Sequence, residues 1–292
     1  MEAARSIRPI EIKEIKYQRP VLEMDRERTL MVAIADPHYG KLISVSGLHG
    51  EELNTYSPEI FESRMEQLLD DIRRLASFHR PRKIVIPNLG DSIDGMFRTG
   101  QLMAIRYGTI DSCMFYSEYM ANWLNEVSEI APVDYFHVCG NHDTHRPVVN
   151  KKGEFPKENF GKIMAWWMSE RLSENDSVKV SLIEKIGMID VCGNNILLIH
   201  GDNESKTSDA AKEYSFLYNV RVDMVLRGHL HTYSDVGVGT NEKGVDIREI
   251  YVPSICGVDE FAMSIKRRSS AGAVAMLLER KEDRIVFPIR LK

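Results

Sequence analysis

The chain has few cysteines, no long apolar run and no surplus of positive charge, and each shortage removes a class of protein. Its four cysteines, Cys113, Cys139, Cys192 and Cys256, stand far apart and form no CxxC pair. That excludes a thiolate zinc site and a dithiol redox motif. All four are read as reduced and structural, because a free Cys in apolar surroundings behaves as a small hydrophobe. No window reaches the 18 or so apolar residues of a membrane span, and the charged N-terminus (Glu2, Arg5, Arg8, Glu11, Lys13, Glu14) has no apolar signal segment. A cytoplasmic protein without membrane contacts is expected. Lys and Arg number 38 against 43 Asp and Glu, so no general electrostatic pull toward nucleic acid exists and any such binding must be local. Repeats, low-complexity stretches and composition breaks are also missing, which leaves one domain over 29–292. Residues 1–28 alternate charged and apolar positions around Pro9 and Pro20 and are read as a peripheral arm.

What is present is a chain of 292 residues, 43% hydrophobic, ample for a full core. Residues 29–35 form an apolar run that ends at Asp36-Pro37-His38 and reads as a buried central strand. After a polar loop over 39–57, Ser57-Pro58 opens an amphipathic helix with Ile60, Phe61, Met65, Leu68, Leu69, Ile72 and Leu75 at helical spacing. The strand–helix pattern recurs: strands are predicted at 83–87, 134–139, 185–191, 195–200, 224–226, 248–252, 273–278 and 284–291. Helices are predicted at 110–128, 159–172 and 207–219. Gly193-Asn194 reads as a hairpin turn, since both residues tolerate positive φ. The result is an α/β fold in which every polar cluster follows an apolar run, at the strand ends where open sheets gather their ligand-binding loops.

The clusters are Asp36-x-His38, Gly90-Asp91, Gly140-Asn141-His142-Asp143, His200-Gly201 and Gly228-His229-x-His231. On extended backbone, residues two apart project the same way, so a carboxylate and an imidazole in D-x-H can grip one ion. Together the clusters offer two Asp, one Asn and four His as ligands, with one His to spare. Two divalent ions roughly 3.5–4 Å apart, sharing one carboxylate and a bridging hydroxide, need about that many groups. Mixed oxygen and imidazole donors suit Mn²⁺ first, with Fe²⁺, Zn²⁺ or Ni²⁺ also accommodated.

In this order the five blocks resemble the calcineurin-like metallophosphoesterase superfamily over residues 30–232. The resemblance implies a four-layer αββα sandwich, two mixed sheets flanked by helices. It implies that Asp36, His38, Asp91 and His231 hold the first metal, while Asp91, Asn141, His200 and His229 hold the second. His142 is then the proton donor to the leaving oxygen or a stabiliser of the transition state. Asp94 matches the second acid of a G-D-x-x-D block and is expected to orient His142, its other reading being a helix cap. The block departs from the Ser/Thr protein phosphatases, which carry Arg where Gly95 stands, and from the purple acid phosphatases, which place Tyr at Asp94. It is closer to the bacterial and phage phosphodiesterase and nuclease branch related to DNA-repair exonucleases.

The expected reaction is attack on a phosphodiester by hydroxide bridging the metals. Alternatives are a phosphomonoesterase or nucleotide hydrolase on the same metals, and a non-catalytic accessory subunit. The substrate is expected to be a phosphoester, including nucleic acid or nucleotide, and a homo-oligomer is compatible with the sequence. Insertions near 39–57 and 92–130 are expected to wall the site and carry specificity. Arg146, His145 and Tyr39 are the leading substrate contacts; Lys41, His49, Arg98, Arg106 and Tyr107 are further candidates. Lys266-Arg267-Arg268 reads as a solvated loop, Trp166 and Trp167 as packing residues, and His79 and His137 as structural.

Overall fold

The computed structural model describes residues 28–95, 103–145, 155, 157–204, 209–242, 244–266, 268–279 and 284–292. The arm expected at 1–28 lies outside the described residues except for Arg28, which begins the first strand. One sheet has the order β13-β12-β1-β4-β5-β6 and a second the order β10-β11-β9-β8-β7. In the first, β1 (Arg28–Ala33), β4 (Lys83–Asn88), β5 (Val133–Val138) and β6 (Val178–Ile183) run parallel. β12 (Gly272–Glu279) and β13 (Ile285–Arg290) add an antiparallel flank. In the second, β8 (Asn194–Ile199), β9 (Met224–Arg227) and β11 (Asp246–Tyr251) run parallel, flanked antiparallel by β7 (Ile186–Val191) and β10 (Ser234–Thr240).

Strand alternation sorts these residues into layers. In β1 and its continuation, Leu30, Val32 and Ile34 face helices, whereas Met31, Ala33 and Ala35 face the second sheet. The second sheet answers with Ile196, Leu198, Met224 and Leu226, and turns Leu197, Ile199 and Val225 to its own outer helix, α4 (Ala210–Tyr218). The helices on the first sheet are α1 (Pro58–His79), α2 (Thr109–Ser128) and α3 (Phe160–Arg171). The molecule is therefore the αββα sandwich with two mixed sheets. Helix α1 starts where Ser57 Oγ accepts from Ile60 N and Pro58 fills the first turn; it ends at Arg80, whose φ of 49° is left-handed. Its Phe61, Met65, Leu68, Leu69 and Ile72 are buried, each contributing about 1.5–3 kcal/mol.

Several elements differ from expectation. Residues 39–57 contain a hairpin, β2 (Ile43–Ser46) with β3 (Glu52–Tyr56), whose Ile43 and Val45 are buried and whose Ser44 and Ser46 are exposed. The turn between β7 and β8 is Cys192-Gly193, with φ of 54° and 77°. Asn194 instead begins β8 and donates to Val191 O and Cys192 O. Strands β6 and β10 and the short α5 (Glu260–Ser264) lie where none was predicted. Among the described residues, no helix is long and apolar enough to cross a membrane.

Candidate metal centre

β1 and β4 stay in step beyond their ends. Asp36 N donates to Gly90 O (3.1 Å) and His38 N to Asp91 O (2.9 Å), which places Asp36, His38 and Asp91 together at 0%, 1% and 1% exposure. Extended backbone does not achieve the convergence. Asp36, His38, Asp91, His229 and His231 all have φ between 44° and 65°, a left-handed conformation that costs a residue with a Cβ on the order of 1 kcal/mol or more. Strain repeated at five polar residues is stored where the surrounding structure fixes it, at one junction of the two sheets.

Two glycines make the junction close enough. A Cβ on Gly140 would lie 2.0 Å from Asp91 N, and one on Gly90 (φ 94°) would lie 2.8 Å from the Gly140 backbone and 2.9 Å from His200 Nδ1. Gly90 thus admits the neighbouring loop. That contact sets Asp91 Oδ1 to accept from His142 N (2.7 Å). Asp143 secures the same loop, accepting from Gly140 N (2.9 Å) and Ile93 N (3.2 Å). Burial and the Asp91 charge push its carboxyl up to about 7.

The donor chemistry fits divalent cations. Asp36 and Asp91 are buried carboxylates, yet among the described residues neither forms an ion pair with Lys or Arg; their charged neighbours are histidines. Buried charge without a counter-charge costs several kcal/mol. His38 Nε2 and His231 Nε2 face each other at 3.3 Å, with Asp91 Oδ2 3.9 Å from the former and Asp36 Oδ1 3.5 Å from the latter. Around the other side of Asp91, His200 Nδ1 lies 2.7 Å from Leu89 O, so it carries the proton and leaves Nε2 to face Asn141 Oδ1 (3.0 Å) and Asp91 Oδ2 (3.2 Å). Donor atoms of Asp36, His38 and Asp91 lie within 4.8 Å of one another, as do those of Asp91, His200 and His229. Asp91 belongs to both groups.

The protein without metal balances this centre with protons. Burial opposes charge on His200, but Asp91 outweighs it and pushes the imidazole up to about 10. His231 is raised in the same way by Asp36, against the effect of burial. Asp91 is held well below the carboxylate range although burial opposes this, because His200, His142 and His38 surround it.

Asp94 joins the centre to His142. Its Oδ1 lies 3.1 Å from His38 Nδ1 and 2.9 Å from His142 Nδ1. Burial works against charge on His142, but Asp91 and Asp94 prevail and raise its pKa.

The substrate contacts read from sequence fare differently. Tyr39 is corrected: it follows His38 and packs into the helix-side core against Phe61 and Tyr116, 3% exposed, with its hydroxyl donating to Glu62 Oε1. His145 packs between Phe155 and Phe160, and Arg146 and Arg98 lie outside the described residues. Lys41 is paired with Asp259 at 2.7 Å. The sequence missed Cys256: fully buried, its Sγ lies with the ring nitrogens of His38 and His231 inside 4.8 Å. Its neighbours in sequence carry no ligating side chain but Ser254, so no local pattern marks it.

A cleft of about 550 Å³ opens beside Asn141, His200 and His229, bordered by Thr144, Asn159, Asp202, Glu204 and Tyr214. A larger cavity of about 620 Å³ between α1 and α2 contains none of the converging residues, so the smaller one is the functional candidate.

Comparison with known proteins agrees with this geometry. The sequence model for calcineurin-like phosphoesterases matches residues 30–233, a span that begins in β1 and ends just after His231. A SPβ prophage-derived uncharacterized protein, YonJ of Bacillus subtilis strain 168, is 28% identical over 271 residues; these cover 91% of this chain and 65% of YonJ. The chain thus spans about two thirds of that relative. Similar solved structures include a zinc complex of Vps29 from Entamoeba histolytica (10% identity, TM-score 0.38, covering 90% of this chain and 99% of that one). A dimetal phosphatase from Danio rerio is another (13% identity, TM-score 0.42, covering 92% and 100%). Both likenesses are loose, and the layer order described above defines the fold. On the match across β1 to His231, the chain belongs to the calcineurin-like phosphoesterase family.

Proposed function

We propose that this protein is a dinuclear-metal hydrolase of phosphodiesters. The observation that carries the reading is Asp91: one buried carboxylate whose Oδ2 lies 3.9 Å from His38 Nε2 and 3.2 Å from His200 Nε2, while its Oδ1 accepts from His142 N. Asp36, His38, Asp91 and His231 would hold one ion, and Asp91, Asn141, His200 and His229 the other. When bound, two such ions supply Lewis acidity toward phosphoryl oxygens and make hydroxide available at neutral pH. Manganese is the favoured metal on the mixed oxygen and imidazole donors.

The chain's own residues do the rest. Asp94 holds Nδ1 of both His38 and His142, fixing two rings with one carboxylate. His142, whose pKa Asp91 and Asp94 raise against burial, would give a proton to a departing alkoxide. An alkoxide needs that proton more than a phenolate does, which favours a natural diester with an alkyl leaving group. The cleft beside His200 and His229 would take one ester arm. The family relationship supports phosphoester chemistry, and the intact donor set argues against a non-catalytic subunit.

The test is turnover of bis-p-nitrophenyl phosphate, p-nitrophenyl phosphate and single-stranded DNA by the Mn²⁺-loaded chain. The expected result is preference for the diester. Faster cleavage of the monoester would replace this reading with the phosphomonoesterase one.

A further inference from the structure

The segment after β11 passes close to the first half-site. Ile255 N donates to Ala35 O (3.0 Å), and Ala35 and Ser254 form a parallel bridge, so Cys256 is laid beside the Asp36 turn. Its position is fixed from two other elements. Buried Arg64 of α1 donates from Nη1 to Ile255 O (2.9 Å) and Cys256 O (3.0 Å). Asn54 of β3 donates from Nδ2 to Cys256 O (2.9 Å) and Val258 O (2.7 Å), and Arg64 in turn binds Asn54 Oδ1 (2.9 Å). Ser254 Oγ accepts from Gly257 N (3.1 Å) and closes the turn. A guanidinium at 5% exposure thus holds the backbone carbonyls of Ile255 and Cys256. Cys256 Sγ sits within 4.8 Å of donor nitrogens of both His38 and His231, interacts with the His231 side chain, and has a weak contact to Gly257 O at 3.6 Å.

We propose that Cys256 is a metal ligand of the first half-site, its sulfur completing a His38, His231 and Cys256 face that makes this half-site softer than the second. The proposal rests on the dinuclear reading above and adds a donor to it. On binding, the sulfur forms a bond to the ion and the thiol proton leaves to solvent. Thiolate favours Zn²⁺ and Fe²⁺ over Mn²⁺, whereas Asp91, Asn141, His200 and His229 carry only oxygen and nitrogen. The two half-sites would then hold different metals from a mixed supply.

The experiment is absorption spectroscopy of the full chain loaded with Co²⁺, with competition between Zn²⁺ and Mn²⁺. Wild type should show a thiolate-to-cobalt charge-transfer band in the near ultraviolet. Cys256→Ser and Cys256→Ala, checked for folding by circular dichroism, should lose it. Cys139→Ser, which alters the thiol bordering the cleft, should keep it. Preference for Zn²⁺ over Mn²⁺ at one of the two ions should fall about tenfold or more in Cys256→Ser. Two bound Co²⁺ with no such band, or a band that survives in a folded Cys256 variant, would overturn the proposal and leave the dinuclear reading standing. If the Cys256 variants do not fold, the band in Cys139→Ser decides: present it supports the proposal, absent it overturns it. Failure of wild type to bind Co²⁺ at all would overturn both.

Discussion

The two halves of the centre use similar residues but are held differently. In the first, Asp36 and His38 are buried, His231 is partly exposed, Asp94 fixes one imidazole, Cys256 Sγ lies near His38 and His231, and Asp36, His38 and His231 all sit on left-handed backbone. The second faces a cleft of about 550 Å³, with His200 fixed by a backbone carbonyl and Asn141 half-exposed. An ion in the second half would border the cleft that a substrate would fill. Only Asp91 belongs to both.

Substitutions that ignore the boundary between the halves should cost most. Asp91→Ala removes the shared carboxylate, and turnover of the diester should fall by about 10⁴-fold, the order expected when several kcal/mol of charge stabilisation is lost. Next comes His142→Ala, which leaves every proposed ligand in place. Steady-state kinetics should show a fall of about 10³-fold with metal content unchanged. If metal content fell as well, His142 would belong to the ligand set.

A smaller effect is expected from pH. His200 in the metal-free protein is raised to about 10, above the unfolded value of about 6.5. Its pairing with Asp91 therefore stabilises the metal-free fold fully below about pH 6.5, and that contribution is lost as pH rises through about 10. Metal binding has the opposite sign, because the ion must displace this proton. Affinity of the second half-site should rise about tenfold per pH unit through neutrality, with proton release measurable by titration calorimetry in two buffers. Pairing of His200 and Asp91 would be excluded by an affinity independent of pH.

The least effect on the centre is expected from Leu68→Ala, in the helix-side core. Denaturant unfolding should show a loss of about 2–5 kcal/mol, while kcat at 25 °C stays unchanged.

What the sequence made legible follows the same division. The ligand blocks stand out because each polar cluster ends an apolar run, and the parallel strands of both sheets end on one edge. Strand β6 (VKVSLI) was not legible: only half-buried, it alternates weakly and lacks a continuous apolar run. β10 fails for the same reason, with two glycines in seven residues. The hairpin over 43–56 does alternate, but its strands of four and five residues are too short to stand out in a polar segment. The direction of Tyr39 was not legible because the backbone leaves extended geometry at His38 (φ 44°), and the ring turns into the aromatic cluster of Phe61 and Tyr116. Cys256 is a free, buried cysteine as read, but its nearness to His38 and His231 was not legible because those residues are distant in sequence.

Metal content tests the central claim most directly. The purified chain, loaded with Mn²⁺ and freed of excess metal, should retain two ions per chain, and Asp91→Ala should retain neither. One ion in wild type, or two in the variant, would contradict a centre joined through Asp91.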